Sequence, residues 1–555
     1  MKDIDIILKE MTLEEKAGQL VMSSFVDRYE VPSDMAALLE AGAVGSVLYF
    51  SGCNIIDPER LRNLTEKVQE KARKNRFGIP VFIAVDQEGG QLAPITMGVS
   101  VGPGNMALGA IRDEKEAVAA AYTNGKITGE ELAAIGITTC FAPVVDLCYE
   151  EGLPVKDNRY FGSDPIRAGK LAAAFVEGLN ASGVMSCAKH FPGQRNVDID
   201  SHFELDVIPN TVEEMMAREW IPFKAAIDSN VSMVMTLHAG FSAIDPTNTP
   251  ATLSKPILEG LLKGKLGFKG LVISDDIQMK PIRDKYGIEG ALVQCIAAGV
   301  DIVIVSGGVN DANKFIADGV RSGKLSEERL NDAVKKVLTY KKQSVPDKVP
   351  SPSKVKKICG SKKNIAEIQK TADKSITLLS NKSKLLPLGT IPKGSRIAII
   401  HPTMGRLMMS DNTNFYPFTF KDVFSQYFDD VYEYVIGLEP NETEALGASD
   451  WAFMADYVVF CTYNAYKWPK QLEILKACRA YAGADKLITV ALRSPADLAV
   501  LPDDLDTVLA TWGVSECSLH ALARVIRGDV TPNGMLPVGV GDGKIVRGAG
   551  LKGWN

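Results

Sequence analysis

The sequence VMSCAKHFPG at residues 184–193, with DSH following at 200–202, is the starting point for predicting the fold. Its apolar first residues predict a short buried strand, and the Pro-Gly pair at its end predicts a turn. Lys189 and His190 therefore fall at the end of a predicted strand, and an Asp-x-His pair lies on the loop that follows. A single histidine in such a place is most often a hydrogen-bonded structural residue. Two histidines with a lysine and an aspartate favour a functional site.

Seven further apolar, β-prone runs share this pattern and alternate with helical stretches. Continuous apolar residues, rather than alternating ones, are typical of strands buried on both faces. The eight runs together predict an α/β fold, a (β/α)8 TIM-like barrel. The predicted strands lie at 18–22, 44–50, 81–85, 139–145, 184–188, 232–236, 271–274 and 302–305.

The length of 555 residues is too great for one hydrophobic core and predicts more than one domain. We place the catalytic barrel at 1–342. Residues 343–358 are rich in Pro, Ser and Lys, which is typical of a linker. The remaining residues, 359–555, predict a smaller layered α/β sandwich domain, with strands at 396–400, 457–460, 487–491 and 507–510.

Charge, cysteine content and motifs limit which partners, cofactors and cellular compartment we expect. The net charge of −6 is spread along the chain without a basic block, so we do not expect nucleic acid as a partner. The nine cysteines show no CxxC spacing, which indicates free thiols in a reducing compartment. With no apolar N-terminal region and no membrane-length span, we expect a cytoplasmic protein. Phosphate-loop and dinucleotide motifs are absent from the sequence, and we expect no cofactor and no metal.

Polar residues close five successive predicted strands. The carboxyl ends of barrel strands converge on one face, and that face holds the active site of such barrels. A single carboxylate after a strand is commonly the N-cap of the next helix, but caps do not explain five polar strand ends in a row. The residues at these ends are Asp86, Asp146, Lys189 with His190, His238 and Asp275.

The types of residue at these positions suggest chemistry at a sugar carbon. Such a displacement needs an acid above the bond and a carboxylate below it. Asp200 and His202 can pair as a tuned proton carrier, in which the histidine replaces the usual carboxylic acid. Asp275 is a candidate nucleophile or electrostatic stabiliser.

Four further residues are candidates for hydrogen bonds to the hydroxyls and an acyl group of a sugar. They are Asp86, Lys189, His190 and Arg159. The alternative interpretation of Arg159 is an ordinary surface arginine.

The KHFPG and DSH motifs at 189–193 and 200–202 are similar to the signature of the β-N-acetylglucosaminidases of glycoside hydrolase family 3. Other stretches across nearly the whole chain are similar too. These are VDQEGG at 85–90, FAPVVD at 141–146, NRYFG at 158–162, ISDDIQM at 273–279, SITLL at 375–379 and PNGMLP at 532–537.

The resemblance implies a retaining enzyme with a (β/α)8 barrel that removes non-reducing terminal GlcNAc from muropeptides or related oligosaccharides. It implies Asp275 as the nucleophile, His202 as the acid/base and Asp200 as its partner. Asp276 does not match, because the family's nucleophile directly follows the serine. Asp86, Arg159, Lys189 and His190 match the positions that hold GlcNAc.

The sequence departs from the family at Gln194-Arg195, where His-Gly is usual, and at Gln91 and Pro94, where two arginines often stand. A plain β-glucosidase of the family lacks the DSH pair. A GlcNAc phosphorylase stays open, because a histidine acid tolerates an incoming phosphate dianion. A sugar-binding protein without catalysis is a further alternative.

Overall fold

The computed structural model describes residues 3–150, 158–194, 206–307, 310–405 and 411–554. Up to residue 307, the strands of the described residues are β1 Val21–Ser23, β2 Ser46–Leu48, β3 Phe82–Val85, β4 Thr139–Cys140, β5 Met185–Phe191, β6 Asp206–Ile208, β7 Met233–Thr236, β8 Ala239–Phe241, β9 Leu271–Ile273 and β10 Val303–Val305. Eight of these strands form a parallel sheet in the order β10-β1-β2-β3-β4-β5-β7-β9, and a parallel bridge between Ile273 and Ile302 joins its two ends. This arrangement is the predicted (β/α)8 barrel.

Helices cover the outside of the barrel, and the helix before β1 shows how the sequence starts a helix. The Thr12 side chain accepts from the Glu15 amide and the Glu15 carboxylate accepts from the Thr12 amide, which is a capping box. The barrel α-helices are Ile4–Glu10, Leu13–Gly18, Ser33–Glu40, Pro58–Ala72, Asn105–Ala110, Glu114–Ile135, Pro165–Ala181, Val212–Ala217, Trp220–Asp228, Lys280–Tyr286, Ile288–Ala298, Ala312–Arg321 and Glu327–Ser344, with a 3₁₀-helix at Ala251–Leu253 and a π-helix at Pro256–Lys265.

A separate sheet of six strands forms the core of the second domain. The strands are β11 Thr377–Asn381, β12 Arg396–Pro402, β13 Asp430–Ile436, β14 Tyr457–Thr462, β15 Leu487–Ala491 and β16 Thr507–Ala510. Their order is β11-β16-β15-β14-β12-β13, and all are parallel except β11, which is antiparallel to β16. The helix Pro352–Ile358 packs against the barrel helices Pro58–Ala72 and Glu114–Ile135. The helices of the second domain are Lys362–Ser375, Phe420–Phe424, Glu442–Met454, Lys470–Ala482, Ala496–Val500 and Glu516–Arg527, with a 3₁₀-helix at Thr413–Phe415.

The stretch predicted as a linker, 343–358, contains the end of one helix and the whole of Pro352–Ile358. Just beyond it, the Gly360 amide and the Asn364 side chain donate to the buried Glu131 carboxylate at 3.0 and 3.3 Å. These bonds tie the connection to the barrel. The boundaries at 342 and 359 stay predictions.

The two domains share packed apolar surface. One buried cluster combines Met106, Ala107 and Ala110 of a barrel helix with one face of the second sheet, for example Ile400 and Phe460. Burial of apolar surface contributes about 25 cal/mol per Å², so this contact stabilises the packing of the two domains against each other. Among the helices of the described ranges, none combines the length and the apolar character of a membrane span.

Candidate active site

Strand β5 carries two of the predicted site residues. It extends to Phe191, three residues beyond the predicted end at Ala188. The reason is pairing on both sides, since the Val145 amide donates to the Lys189 carbonyl at 2.9 Å and the Leu237 amide donates to the Phe191 carbonyl at 2.8 Å. Lys189 and His190 therefore lie inside a strand that holds them firmly at the carboxyl end of the barrel.

A network of two cations and two carboxylates lies at this end. Lys189 Nζ is 2.6 Å from Asp86 Oδ1 and 2.5 Å from Glu88 Oε1. Arg159 meets the same Glu88 carboxylate with two nitrogens, Nε to Oε2 at 2.8 Å and Nη2 to Oε1 at 2.7 Å. The side chains of Lys189 and Glu88 are each 2% exposed, whereas Arg159 is 14% and Asp86 is 24% exposed. Arg159 and Asp86 are thus the members of the network that solvent reaches.

The charges of this network support one another. Burial alone would raise the pKa of Glu88, but the charges of Arg159 and Lys189 outweigh burial and lower that pKa to about 2. Burial alone would lower the pKa of Lys189, but Asp86 and Glu88 outweigh it and raise that pKa. Both groups are therefore ionised at neutral pH, and the network is a fixed set of charge-assisted hydrogen bonds.

His190 is held by Asp146, which is 2% exposed. Asp146 Oδ2 accepts from the His190 amide at 3.0 Å and lies 2.8 Å from His190 Nδ1. Because a carboxylate accepts, Nδ1 carries a proton and the tautomer is set. Asp146 Oδ1 accepts from the Gln194 amide at 2.8 Å, so one carboxylate fixes both the ring and the turn after the strand. Gly193 in this turn has φ +123°, a conformation that favours glycine.

Asp275 follows strand β9 and lies beside a buried histidine. His238 is fully buried, with Nε2 3.0 Å from the Asp276 carbonyl and Nδ1 2.8 Å from the Thr252 hydroxyl. Since the carbonyl only accepts, Nε2 carries a proton and His238 holds the backbone next to Asp275. Burial lowers the pKa of His238, against the opposing charge of Asp275. His190 lowers it too, so His190, His238 and Asp275 belong to one electrostatic environment.

The neighbouring Asp276 has a different environment. Its carboxylate accepts from the Ser306 hydroxyl, from the Gln278 amide at 3.0 Å and from the Ser306 amide at 3.3 Å. Burial raises its pKa. These bonds tie Asp276 to the segment after β10, which is a structural use of the carboxylate.

The structure brings the predicted residues Asp86, Lys189 and Arg159 into one network. Arg159 is not the surface arginine of the alternative interpretation, since its side chain is only 14% exposed. The predicted residues Asp200 and His202 lie outside the described residues. Among the described residues, three or more His, Cys, Asp or Glu side chains are nowhere grouped as a metal site.

Sequence reasoning missed Glu88, the carboxylate that joins Lys189 to Arg159. Its signal was present, because Glu88 stands two residues after Asp86 at the same strand end. Asp146 and His238 were noticed at strand ends but received no role. Each contacts a polar group at the end of a neighbouring strand, which its own position at a strand end does not reveal.

Comparison with known proteins identifies the family of the chain. Residues 12–340 match the model of the glycosyl hydrolase family 3 N terminal domain, and residues 376–543 match that of the family's C-terminal domain. Barrel, site and matches together define a glycoside hydrolase. The chain belongs to glycoside hydrolase family 3, as the motifs predicted.

Individual members of the family are similar to this chain in sequence and in structure. The chain is 33% identical to a beta-hexosaminidase of Xylella fastidiosa (strain M23) over 283 residues, 50% of this chain and 82% of that protein. It is 29% identical to beta-hexosaminidase A of Pseudoalteromonas piscicida over 332 residues, 56% of this chain but only 55% of that relative's length. A solved structure of a family 3 beta-N-acetylglucosaminidase from Paenibacillus sp. str. FPU-7 superposes with a TM-score of 0.85 at 32% identity, covering 95% of this chain and 99% of that one.

Proposed function

We propose that this protein is a retaining exo-β-N-acetylglucosaminidase that removes non-reducing terminal GlcNAc from muropeptides or similar oligosaccharides without a metal. The observation that carries the proposal is the Asp86–Lys189–Glu88–Arg159 network at the same barrel face as Asp275. The names of the relatives in Xylella and Paenibacillus support the choice of sugar.

The charge balance of the network favours a neutral ligand. Two cations lie at hydrogen-bond distance from two carboxylates, so the positive and negative charges of this network balance without a charged ligand. A neutral sugar fits such a site, because its hydroxyls can donate to Asp86 and accept from Arg159. A site with fixed donors and acceptors also rejects analogues that lack one hydroxyl.

The reaction then follows two displacements at the anomeric carbon. Asp275 attacks the carbon while His202 gives a proton to the leaving oxygen, which forms a covalent glycosyl-enzyme. In the second displacement, the neutral His202 takes a proton from water, and the oxygen of that water attacks the anomeric carbon. The bond between this carbon and the Asp275 carboxylate breaks, which releases β-GlcNAc. Asp200 stabilises the protonated histidine. The roles of Asp200 and His202 come from their match to the family's motif.

Turnover of 4-nitrophenyl β-N-acetylglucosaminide, with and without phosphate, tests the proposal. We expect GlcNAc with retained β configuration by NMR, at a rate independent of phosphate, and little turnover of the matching glucoside. GlcNAc 1-phosphate as the product would instead identify a phosphorylase. Binding of GlcNAc without turnover would identify a sugar-binding protein. Asp275→Ala is the control for contaminating activity.

A further inference from the structure

We propose that the segment at 411–416 of the second domain positions the barrel loop at 88–92, and through it the Glu88 carboxylate that joins Lys189 to Arg159. The proposal rests on the function proposed above, in which this network binds the sugar. It assigns to the second domain a part in substrate binding, carried by a residue that acts through another one.

The loop at 88–92 is a tight turn whose tip the second domain contacts. The amides of Glu88 and Gly89 both donate to the Leu92 carbonyl, at 3.0 and 3.2 Å. At the tip, the Gly90 carbonyl accepts from the Tyr416 hydroxyl, and the Gln91 carbonyl accepts from the Asn412 amide at 2.9 Å. Burial raises the pKa of Tyr416, so its phenol keeps the proton that it donates.

The segment at 411–416 is held in place by buried polar contacts within the second domain. Asp411 Oδ2 lies 2.5 Å from Arg493 Nη1, and the two side chains are 0% and 2% exposed. Arg493 also donates to the Tyr463 hydroxyl at 2.8 Å, and the Thr413 amide donates to Asp411 at 3.1 Å. Arg493 follows strand β15, so the segment is fixed to the carboxyl end of the second sheet.

The second domain also contacts the loop that carries Arg159. Asn158, the residue before Arg159, donates through its side chain to the Trp512 carbonyl at 2.7 Å. The Arg159 carbonyl accepts from Asn105 at 2.8 Å. The second domain therefore contacts the chain on both sides of the Glu88–Arg159 pair, alongside barrel contacts such as the bond from the Gly90 amide to the Gly102 carbonyl at 2.8 Å.

Small displacements matter at such a network. Glu88 satisfies both cations only while each distance stays within hydrogen-bond range, and misplacement by about 1 Å at a binding group can cost roughly 10²-fold in rate. Tyr416 donates to the Gly90 carbonyl at the tip of the loop, and its ring packs against Phe418 of its own domain. It is therefore a positioning residue, which acts on the four charged groups through the loop.

Tyr416→Phe, which removes one hydroxyl, tests the proposal. We expect KM for the chromogenic GlcNAc glycoside to rise roughly three- to tenfold with little change in kcat, the range for loss of one hydrogen bond. The matched control is Thr96→Val, which removes a bond to the Phe415 carbonyl in the same interdomain contact but not on the Glu88 loop. This control should leave KM unchanged.

A double-mutant cycle with Arg159→Ala separates positioning from general weakening of the fold. We expect the effect of Tyr416→Phe on KM to vanish when Arg159 is absent, because residues acting through one network are not additive. The same fold-increase in both backgrounds, or no increase in either, would overturn the proposal.

Hydrogen exchange gives a readout that does not depend on activity. Backbone amides at 88–92 should exchange faster in Tyr416→Phe than in the native protein, and should be unchanged in Thr96→Val. Unchanged exchange in Tyr416→Phe would overturn the positioning role even if the native enzyme hydrolyses GlcNAc glycosides. A native protein without that activity would contradict the proposed function, while exchange would still report on the loop.

Discussion

Arg159 and Glu88 form a two-pronged ion pair between two separate loops of the barrel, with nitrogen–oxygen distances of 2.7 and 2.8 Å. The same carboxylate accepts from Lys189, which a barrel strand holds. Glu88 is thus the common partner of two cations that lie thirty residues apart in sequence. Its removal leaves both cations close together without that shared carboxylate.

Glu88→Gln should therefore damage both stability and binding. Breaking a buried pair leaves an uncompensated charge, and we expect the free energy of unfolding to fall by about 3–5 kcal/mol. KM for the GlcNAc glycoside should rise as well. Urea unfolding and steady-state kinetics measure the two effects. Glu15→Gln, at a more exposed pair with Arg76, is the control and should cost about 1 kcal/mol or less. A loss at Glu88 no larger than the control would contradict the prediction.

The two adjacent aspartates after β9 should behave differently. Asp275→Ala should lower kcat by about 10⁴-fold or more without unfolding the barrel, as expected for a nucleophile. Asp276→Asn should act mainly on stability, since its carboxylate is bonded to Ser306 and Gln278. A slow fluorinated GlcNAc glycoside followed by peptide mass spectrometry identifies the labelled residue. A label on Asp276 would reverse the assignment.

The cost of removing His202 should depend on the leaving group. A dinitrophenolate departs without protonation, so His202→Ala should affect its release little. Another sugar needs the proton, and general acid catalysis is typically worth about 10²–10⁴-fold. Rates of glycosyl-enzyme formation across a series of phenyl glycosides measure the trend, and Asp200→Asn should follow it. An equal loss for every leaving group would assign His202 to binding and move the search for the acid elsewhere.

Buried Lys341 should make stability depend on pH. It is 1% exposed and donates to Gln19 Oε1 at 2.8 Å, and burial lowers its pKa from 10.5 to about 7. Between these two values the unfolded chain binds a proton that the folded protein does not, so stability rises with pH from about 7 to 10.5. The slope from this one group is at most about 1.4 kcal/mol per pH unit.

Lys341→Met should remove that slope, whatever it does to packing. Chemical unfolding at several pH values from 7 to 10 measures it, and the exposed Lys342 on the same helix supplies the control Lys342→Met. Parallel stability curves for the native protein and Lys341→Met would mean that Lys341 does not titrate in this range.

The sequence by itself determined the barrel. Its eight strands are buried on both faces, so each appears in the sequence as a continuous apolar run, and all eight were found. Seven have both ends within three residues of the prediction, whereas β4 ends at Cys140, five residues before the predicted end at 145. In the second domain, β15 at Leu487–Ala491 and β16 at Thr507–Ala510 were predicted with their observed bounds. The strands β11 and β13 were missed because they are the two edges of the sheet, where a strand needs fewer apolar residues.

The sequence also determined which polar residues stand at the carboxyl ends of the barrel strands. Asp86, Lys189, His190 and Asp275 were found there because parallel strands end on one face, and Arg159 was a candidate because its segment follows the strand that Asp146 closes. Asp200 and His202 stay sequence-based predictions, as do the cytoplasmic location and the roles of all these residues in the reaction.

Only the tertiary structure decided how these residues are held. Glu88 joins Lys189 to Arg159, Asp146 holds His190, and Tyr416 of the second domain reaches the loop of Glu88. Each contact joins residues far apart in the chain, and local periodicity carries no record of such partners. Distance and burial in the folded protein also set the charge states, since the same carboxyl group in an exposed loop would keep an ordinary pKa.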